Sequence, residues 1–129
     1  MKKYLKLVIL IISIATVFSG LLQIISPTFV LNIIGADITP TTKHFFAIVG
    51  MFMALFGGMM IQVLYSVNQN EAAVLWASFQ KIGAALAVGL GIYFGVFNKL
   101  ALSVAVFDLL SGLLFLRYYQ AERRAGSNK

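Results

Sequence analysis

Cysteine is absent from this 129-residue chain, which excludes disulfides, thiolate metal sites and thiol redox chemistry. Charge is scarce. Only 11% of the residues are charged, and four of them are acidic. There is a single histidine, and with so few carboxylates beside it the ligand set for a metal site is too small. The sequence also carries no nucleophile beside a base, no phosphate-binding glycine loop and no paired carboxylates. Asp37, His44, Lys81 and Asp108 are the weak exceptions, and they act together only if the fold brings them together. No enzyme signature follows, and the residues name no cofactor.

Apolar surface is abundant instead. Hydrophobic residues make up 60% of the chain, against about half in soluble domains. A water-soluble fold of this length cannot hide that much, so an integral membrane protein is expected. The net charge of +6 would suit nucleic acid. However, the basic residues gather at the two chain ends beside apolar spans, where they act as membrane-orienting charge. Membrane lipid, not nucleic acid, is the expected surrounding.

A helix needs about 20 apolar residues to cross roughly 30 Å of hydrocarbon. Four stretches qualify, at about 5–25, 45–65, 72–97 and 100–116. In lipid their backbone groups must pair within the segment, so they are helices. The long first connection, "SPTFVLNIIGADITPTTKH", contains Pro27, Gly35 and Pro40, and its "TFVLNIIG" predicts a short helix lying in the interface. "SVNQNE" and then "NK" make the next two connections. Short connections force antiparallel neighbours, so the expected fold is all-α, a four-helix up-down-up-down membrane bundle over 1–118. The polar tail 119–129 is expected to be mobile.

The start, "MKKYLKLVILIISIATVFSG", also has the layout of a secretory signal. The apolar run continues through "LLQII", which favours an uncut span. Lys2, Lys3 and Lys6 precede the first span, and Arg117, Arg123, Arg124 and Lys129 follow the last. The loops on the other side carry only Lys43 and Lys99. The positive-inside rule therefore places both termini in the cytoplasm, in a multi-pass protein of the inner membrane. Tyr4, Tyr118 and Tyr119 stand where an aromatic belt is expected.

Within the spans, Lys81 and Asp108 stand out, because each costs a few kcal/mol at a helix centre before any partner is counted. Such residues face a bundle interior, line a wet cavity or bind something. Between antiparallel helices their axial gap is about 9 Å, and each side chain leans toward its own helix N-terminus, away from the other. Direct pairing is thus the less favoured arrangement. Lys81 divides evenly between snorkelling to the headgroups and an interior place. Asp108 has no such stem and belongs inside, with Ser111 and Gly112 on its face. Gln80, Gln62 and Gln23 add polar groups that serve at least as readily as interhelical hydrogen bonds. His44 opens the second span as an interface residue. The ligand or ion-site candidates are therefore Lys81, Asp108, Gln80, Ser111, Gln62 and His44.

Gly83, Ala87, Gly91 and Gly95 recur every four residues and form a small-residue stripe. The stripe suits a helix of the same bundle, a second copy of the chain or a membrane partner subunit. Lys81 lies about 200° round the helix from Gly83, so stripe and lysine face nearly opposite ways. In the second span, Gly50, Gly57, Gly58 and four methionines are adaptable packing residues.

Four short helices, the "P-x-x-V-L-x-x-x-G" stretch from Pro27 to Gly35, a glycine-bearing second helix and Asp108 in the fourth together resemble the small DoxX-like bacterial membrane proteins and their four-helix relatives. The resemblance covers most of residues 1–118 and implies a compact four-helix bundle. Some such proteins are linked to quinone or thiol redox systems, and the absence of cysteine here argues against a direct thiol role. Two functions follow. One is a binding or accessory protein that holds a lipid, a quinone-like or other apolar molecule, or a partner subunit. The other is an oligomeric transporter or channel using Asp108 and Lys81.

Overall fold

The computed structural model describes residues 2–67 and 70–127, with the Lys2 side chain left out. Asn68 and Gln69 of the expected polar turn lie outside the described residues, as do the Lys2 side chain and Lys129 of the basic termini. The chain is all-helical: α1 (Lys2–Ile25), α2 (Pro27–Ile34), α3 (Pro40–Tyr65), α4 (Glu71–Tyr93) and α5 (Ala101–Ser127). All but α2 are long and apolar enough to cross a membrane.

Local chemistry sets the boundaries. Pro27 opens α2, where its missing N–H and fixed φ cost nothing. Gly35 closes it with φ 70°. The Gly35 and Ala36 amides then donate to the Asn32 and Leu31 carbonyls, at 3.3 and 3.0 Å, a helix end that favours glycine. Thr39 caps α3 reciprocally with Thr42, and Pro40 follows as the first helical residue. The Asn70 side chain accepts from the Ala73 amide at 3.2 Å to start α4.

The same left-handed closure ends α4. Gly95 has φ 76°, and the Gly95 and Val96 amides donate to the Ile92 and Gly91 carbonyls. The helix therefore stops at Tyr93, four residues before the span expected from hydropathy. Gly95 belongs to the turn and is no part of a helical stripe. At the other extreme, α5 runs through Ser127, well past the expected end near 116. The tail expected to be mobile is helical there, since "RYYQAERRAG" holds good helix formers and no proline.

The four long helices associate as two intimate pairs, α1 with α3 and α4 with α5, and the pairs meet each other over far less surface. Missing side chains explain the intimacy. A Cβ on Gly20 would strike the Gly50 carbonyl oxygen and stand 2.7 Å from the Ala54 nitrogen. One on Gly57 would stand 2.8 Å from the Ser13 carbonyl oxygen. Rising numbers in α1 thus meet falling numbers in α3. Gly112 does the same for the other pair, where a Cβ would stand 2.7 Å from the Ile82 side chain. Of the stripe on α4, Gly83 has nothing within 4 Å of a built Cβ, and Gly91 is covered by the Phe97 ring of its own turn.

Two apolar clusters hold the ends together. At the end carrying both termini, Ile9, Met60, Val74 and Phe115 bring one buried side chain from each long helix. Tyr118 is buried in the same cluster and only 7% exposed, so it packs inside rather than standing in a belt. Tyr4 is exposed. At the other end, Leu31 and Ile34 of α2 pack with Ala101, Phe46 and Phe97. Between the clusters the two pairs separate.

Along the second half of α1 exposure is inverted. The buried face of α1 begins with Ile9 and Ile12 and continues with Ser13, Thr16, Gly20 and Gln23, while Leu7, Ile11, Phe18, Leu21 and Ile25 point outward.

Gly20→Val is expected to destabilise the fold by about 2 kcal/mol or more, because neither α3 backbone atom can yield. Gly83→Ala enters open space and should be neutral or stabilising by up to about 1 kcal/mol through helix propensity. Thermal unfolding of the two purified variants checks the contrast.

Candidate functional site

Lys81 is 3% exposed and Asp108 7%. They meet directly, with Lys81 Nζ 3.1 Å from Asp108 Oδ1. The sequence reading disfavoured this pairing from the axial gap. The close approach of α4 and α5 at Gly112 brings the backbones near enough for the lysine stem to span the offset. Lys81 therefore faces the interior and does not snorkel.

A third helix completes the site. Lys81 Nζ also donates to Thr16 Oγ1 at 2.7 Å. The Thr16 hydroxyl donates to the Ile12 carbonyl at 2.9 Å, which spends its proton and leaves its lone pairs for the ammonium. The face of the Phe107 ring lies 5.3 Å from the same nitrogen, a cation–π distance. The ammonium is thus shared between α1 and α5 while rooted on α4, and its bond to Thr16 ties one helix pair to the other.

A second polar tie lies at the α2 end. Asn98 donates from its side chain to the Ile33 carbonyl at 3.0 Å and from its backbone to the Ile34 carbonyl at 2.7 Å. Between these ties lie two clefts. One, of about 390 Å³, is walled by α3 and α4 residues such as Phe46, Val49, Ala84 and Val88. The other, of about 400 Å³, is walled by α1 and α5 residues such as Ala15, Ser19, Ser103 and Phe107. Gln23, Val30, Met53, Lys81, Val104 and Asp108 border both. The ion pair is therefore common to the two clefts, and their walls are otherwise mostly apolar.

The polar groups at this border are not all engaged. Asp108 uses Oδ1 for the lysine, and no described residue bonds its Oδ2. Gln80 borders the α3/α4 cleft, and no described residue hydrogen-bonds its amide. Gln23 donates from Nε2 to Met53 Sδ at 3.3 Å, while its buried Oε1 has no partner among the described residues.

The remaining candidates lie apart. Ser111 is buried one turn below Asp108, and its hydroxyl donates to the Phe107 carbonyl at 2.6 Å, so it serves α5 and not the pair. Gln62 is exposed in the final turns of α3, and His44 is exposed in its first turn. Neither borders either cleft. Asp37 is also exposed, in the connection after α2. Ala87 lines the α3/α4 cleft, whereas Gly83 faces open space. Thr16 escaped the sequence reading, although Ser13, Thr16, Gly20 and Gln23 recur at helical spacing. In an inverted helix, that polar and small stripe marks the inward face.

No family model, no curated protein and no solved structure matches this chain. The DoxX-like resemblance rests on the sequence features given above.

Lys81→Met should cost about 3–5 kcal/mol, because it leaves Asp108 buried without its partner. Lys81→Met combined with Asp108→Leu should recover much of that loss. Thr16→Val removes one bond to the ammonium and should cost about 1.5–3 kcal/mol. A double-mutant cycle on thermal or denaturant unfolding measures all three.

Proposed function

We propose that this chain is a multi-pass inner-membrane protein that holds a neutral, mostly apolar molecule between its two helix pairs, with that molecule's polar end at Lys81 and Asp108. In this reading the four long helices cross the bilayer up-down-up-down, both termini are cytoplasmic and α2 lies in the interface. The inverted exposure of α1 supports immersion in lipid, since an apolar outside and a polar inside suit hydrocarbon. Lys3, Lys6, Arg117, Arg123 and Arg124 gather at the end that holds the termini, and Lys43 and Lys99 stand at the other. That asymmetry supports the orientation.

One observation carries the binding reading: a buried lysine–aspartate ion pair forms the shared border of two apolar clefts. Pockets of a few hundred Å³ with few polar groups are typical of small-molecule sites. The charges of the pair cancel, so an anionic end group would be opposed by Asp108 and a cationic one by Lys81. A hydroxyl or carbonyl suits the pair best. Asp108 Oδ2 accepts from a hydroxyl, and the Gln80 amide both donates and accepts. Quinone-like and hydroxyl-bearing lipids have this chemistry.

A transporter using Asp108 as a proton or cation site is the second reading. It needs a path toward both faces of the membrane. Beneath the pair, the packed cluster of Ile9, Met60, Val74 and Phe115 leaves a gap of only about 10 Å³ beside Lys81. That packing favours binding over passage through a single chain.

Native mass spectrometry of protein released from membrane-like particles tests the proposal. A discrete added mass on the chain is expected, and it should be lost from Ala84→Trp, which fills the α3/α4 cleft. A dimer without added mass would turn the reading toward a subunit seam, and a chain on which every added mass survives Ala84→Trp would remove the α3/α4 cleft as the place of binding. Proton or cation flux in liposomes that disappears in Asp108→Asn would favour the transporter.

A further inference from the structure

The groove between the first turns of α1 and the last turn of α3 stands apart from the central clefts. It encloses about 350 Å³ at the end of the bundle that carries the termini. Its rim holds Lys3, Tyr4, Lys6 and Tyr65, and its wall is Leu7, Leu10 and Leu64. The Lys6 ammonium sits 5.4 Å from the centre of the Tyr65 ring, so it lies over the groove mouth. No described residue makes an ion pair with Lys3 or Lys6. The chain has only four acidic residues, and none borders this groove. Glu71 and Glu122 line a separate recess between α4 and α5.

Charge and apolarity are therefore ordered along the groove. Two uncompensated ammonium groups and two phenol hydroxyls lie at the rim, and leucine side chains continue toward the bundle centre. An anionic phospholipid is ordered in the same way, with a phosphate at one end and an acyl chain beyond it. Basic recesses beside spanning helices favour anionic headgroups, and tyrosine suits the headgroup level because it has an apolar body and a polar tip.

We infer that this groove binds one anionic phospholipid, its phosphate between Lys3 and Lys6 and one acyl chain along Leu7, Leu10 and Leu64. The inference rests on the membrane reading above and is independent of any molecule in the central clefts. The lipid belongs to the leaflet that faces the two termini. A fixed lipid there holds α1 to the end of α3, where Leu64 joins the core cluster.

The test is a titration of the purified full chain in detergent, read by native mass spectrometry. The probes are phosphatidylglycerol and phosphatidylcholine with identical acyl chains. One phosphatidylglycerol adduct should saturate at concentrations where phosphatidylcholine leaves the chain bare. Lys3→Gln with Lys6→Gln should weaken that adduct about thirtyfold, from roughly fivefold per basic group. Arg123→Gln with Arg124→Gln removes the same charge from the same end and should leave it unchanged. Leu10→Ser should weaken it while keeping both lysines. Equal binding of the two lipids, or equal weakening by the lysine and arginine pairs, would overturn the site in favour of bulk charge. A chain that stays soluble without detergent would instead overturn the membrane reading itself.

Discussion

A single ammonium group joins three helices. Lys81 is rooted on α4, holds Asp108 on α5 and reaches Thr16 on α1. Alone, each charge would cost a few kcal/mol in an apolar interior, and a buried pair is worthwhile only with good geometry and further hydrogen bonds. Thr16 and the Phe107 ring supply the extra partners. The position of the pair also sets what else the bundle can contain. Because α4 and α5 must close enough for 3.1 Å contact, that pair packs tightly through Gly112. The two helix pairs, by contrast, are joined near their middle by one long side chain, and space remains on both sides of it.

This division explains the distribution of glycine. Gly20, Gly50 and Gly57 allow α1 and α3 to touch backbone to backbone, and Gly112 does so for α4 and α5. Side-chain packing at both ends then clamps the pairs, through Ile9, Met60, Val74 and Phe115 at one end and through α2 and the Asn98 turn at the other. The middle stays open between the clamps. In the two proposals, a cleft bordered by a neutral ion pair suits an uncharged polar group, whereas the groove at Lys3 and Lys6, which no acidic residue lines, suits an anion. Both proposals rest on the same rule, local charge balance.

Much of the architecture was legible without coordinates. Hydropathy located the four long helices, because burying or exposing twenty apolar residues is a property of composition and length alone. The short α2 was legible from Pro27 and Gly35, whose backbone preferences act locally. Lys81 and Asp108 were legible as candidates because a charge in an apolar run is costly wherever it points. The stripe of Gly83, Ala87, Gly91 and Gly95 shows the limit of such reading. Its spacing is regular, yet Gly95 ends the helix and Gly83 meets nothing, while Gly20 and Gly112, outside that stripe, make the close contacts.

The sequence by itself determined where the four long helices lie and which residues carry charge inside them, since both depend on neighbours along the chain. Tertiary structure alone decided that Lys81 pairs with Asp108, that Thr16 completes the site and that Ser111, Gln62 and His44 stand apart from it. The reason is reach. An axial offset of about 9 Å forbids or permits a lysine–aspartate contact according to how closely two helices approach and how each is turned about its axis. Those two quantities depend on residues distant in sequence.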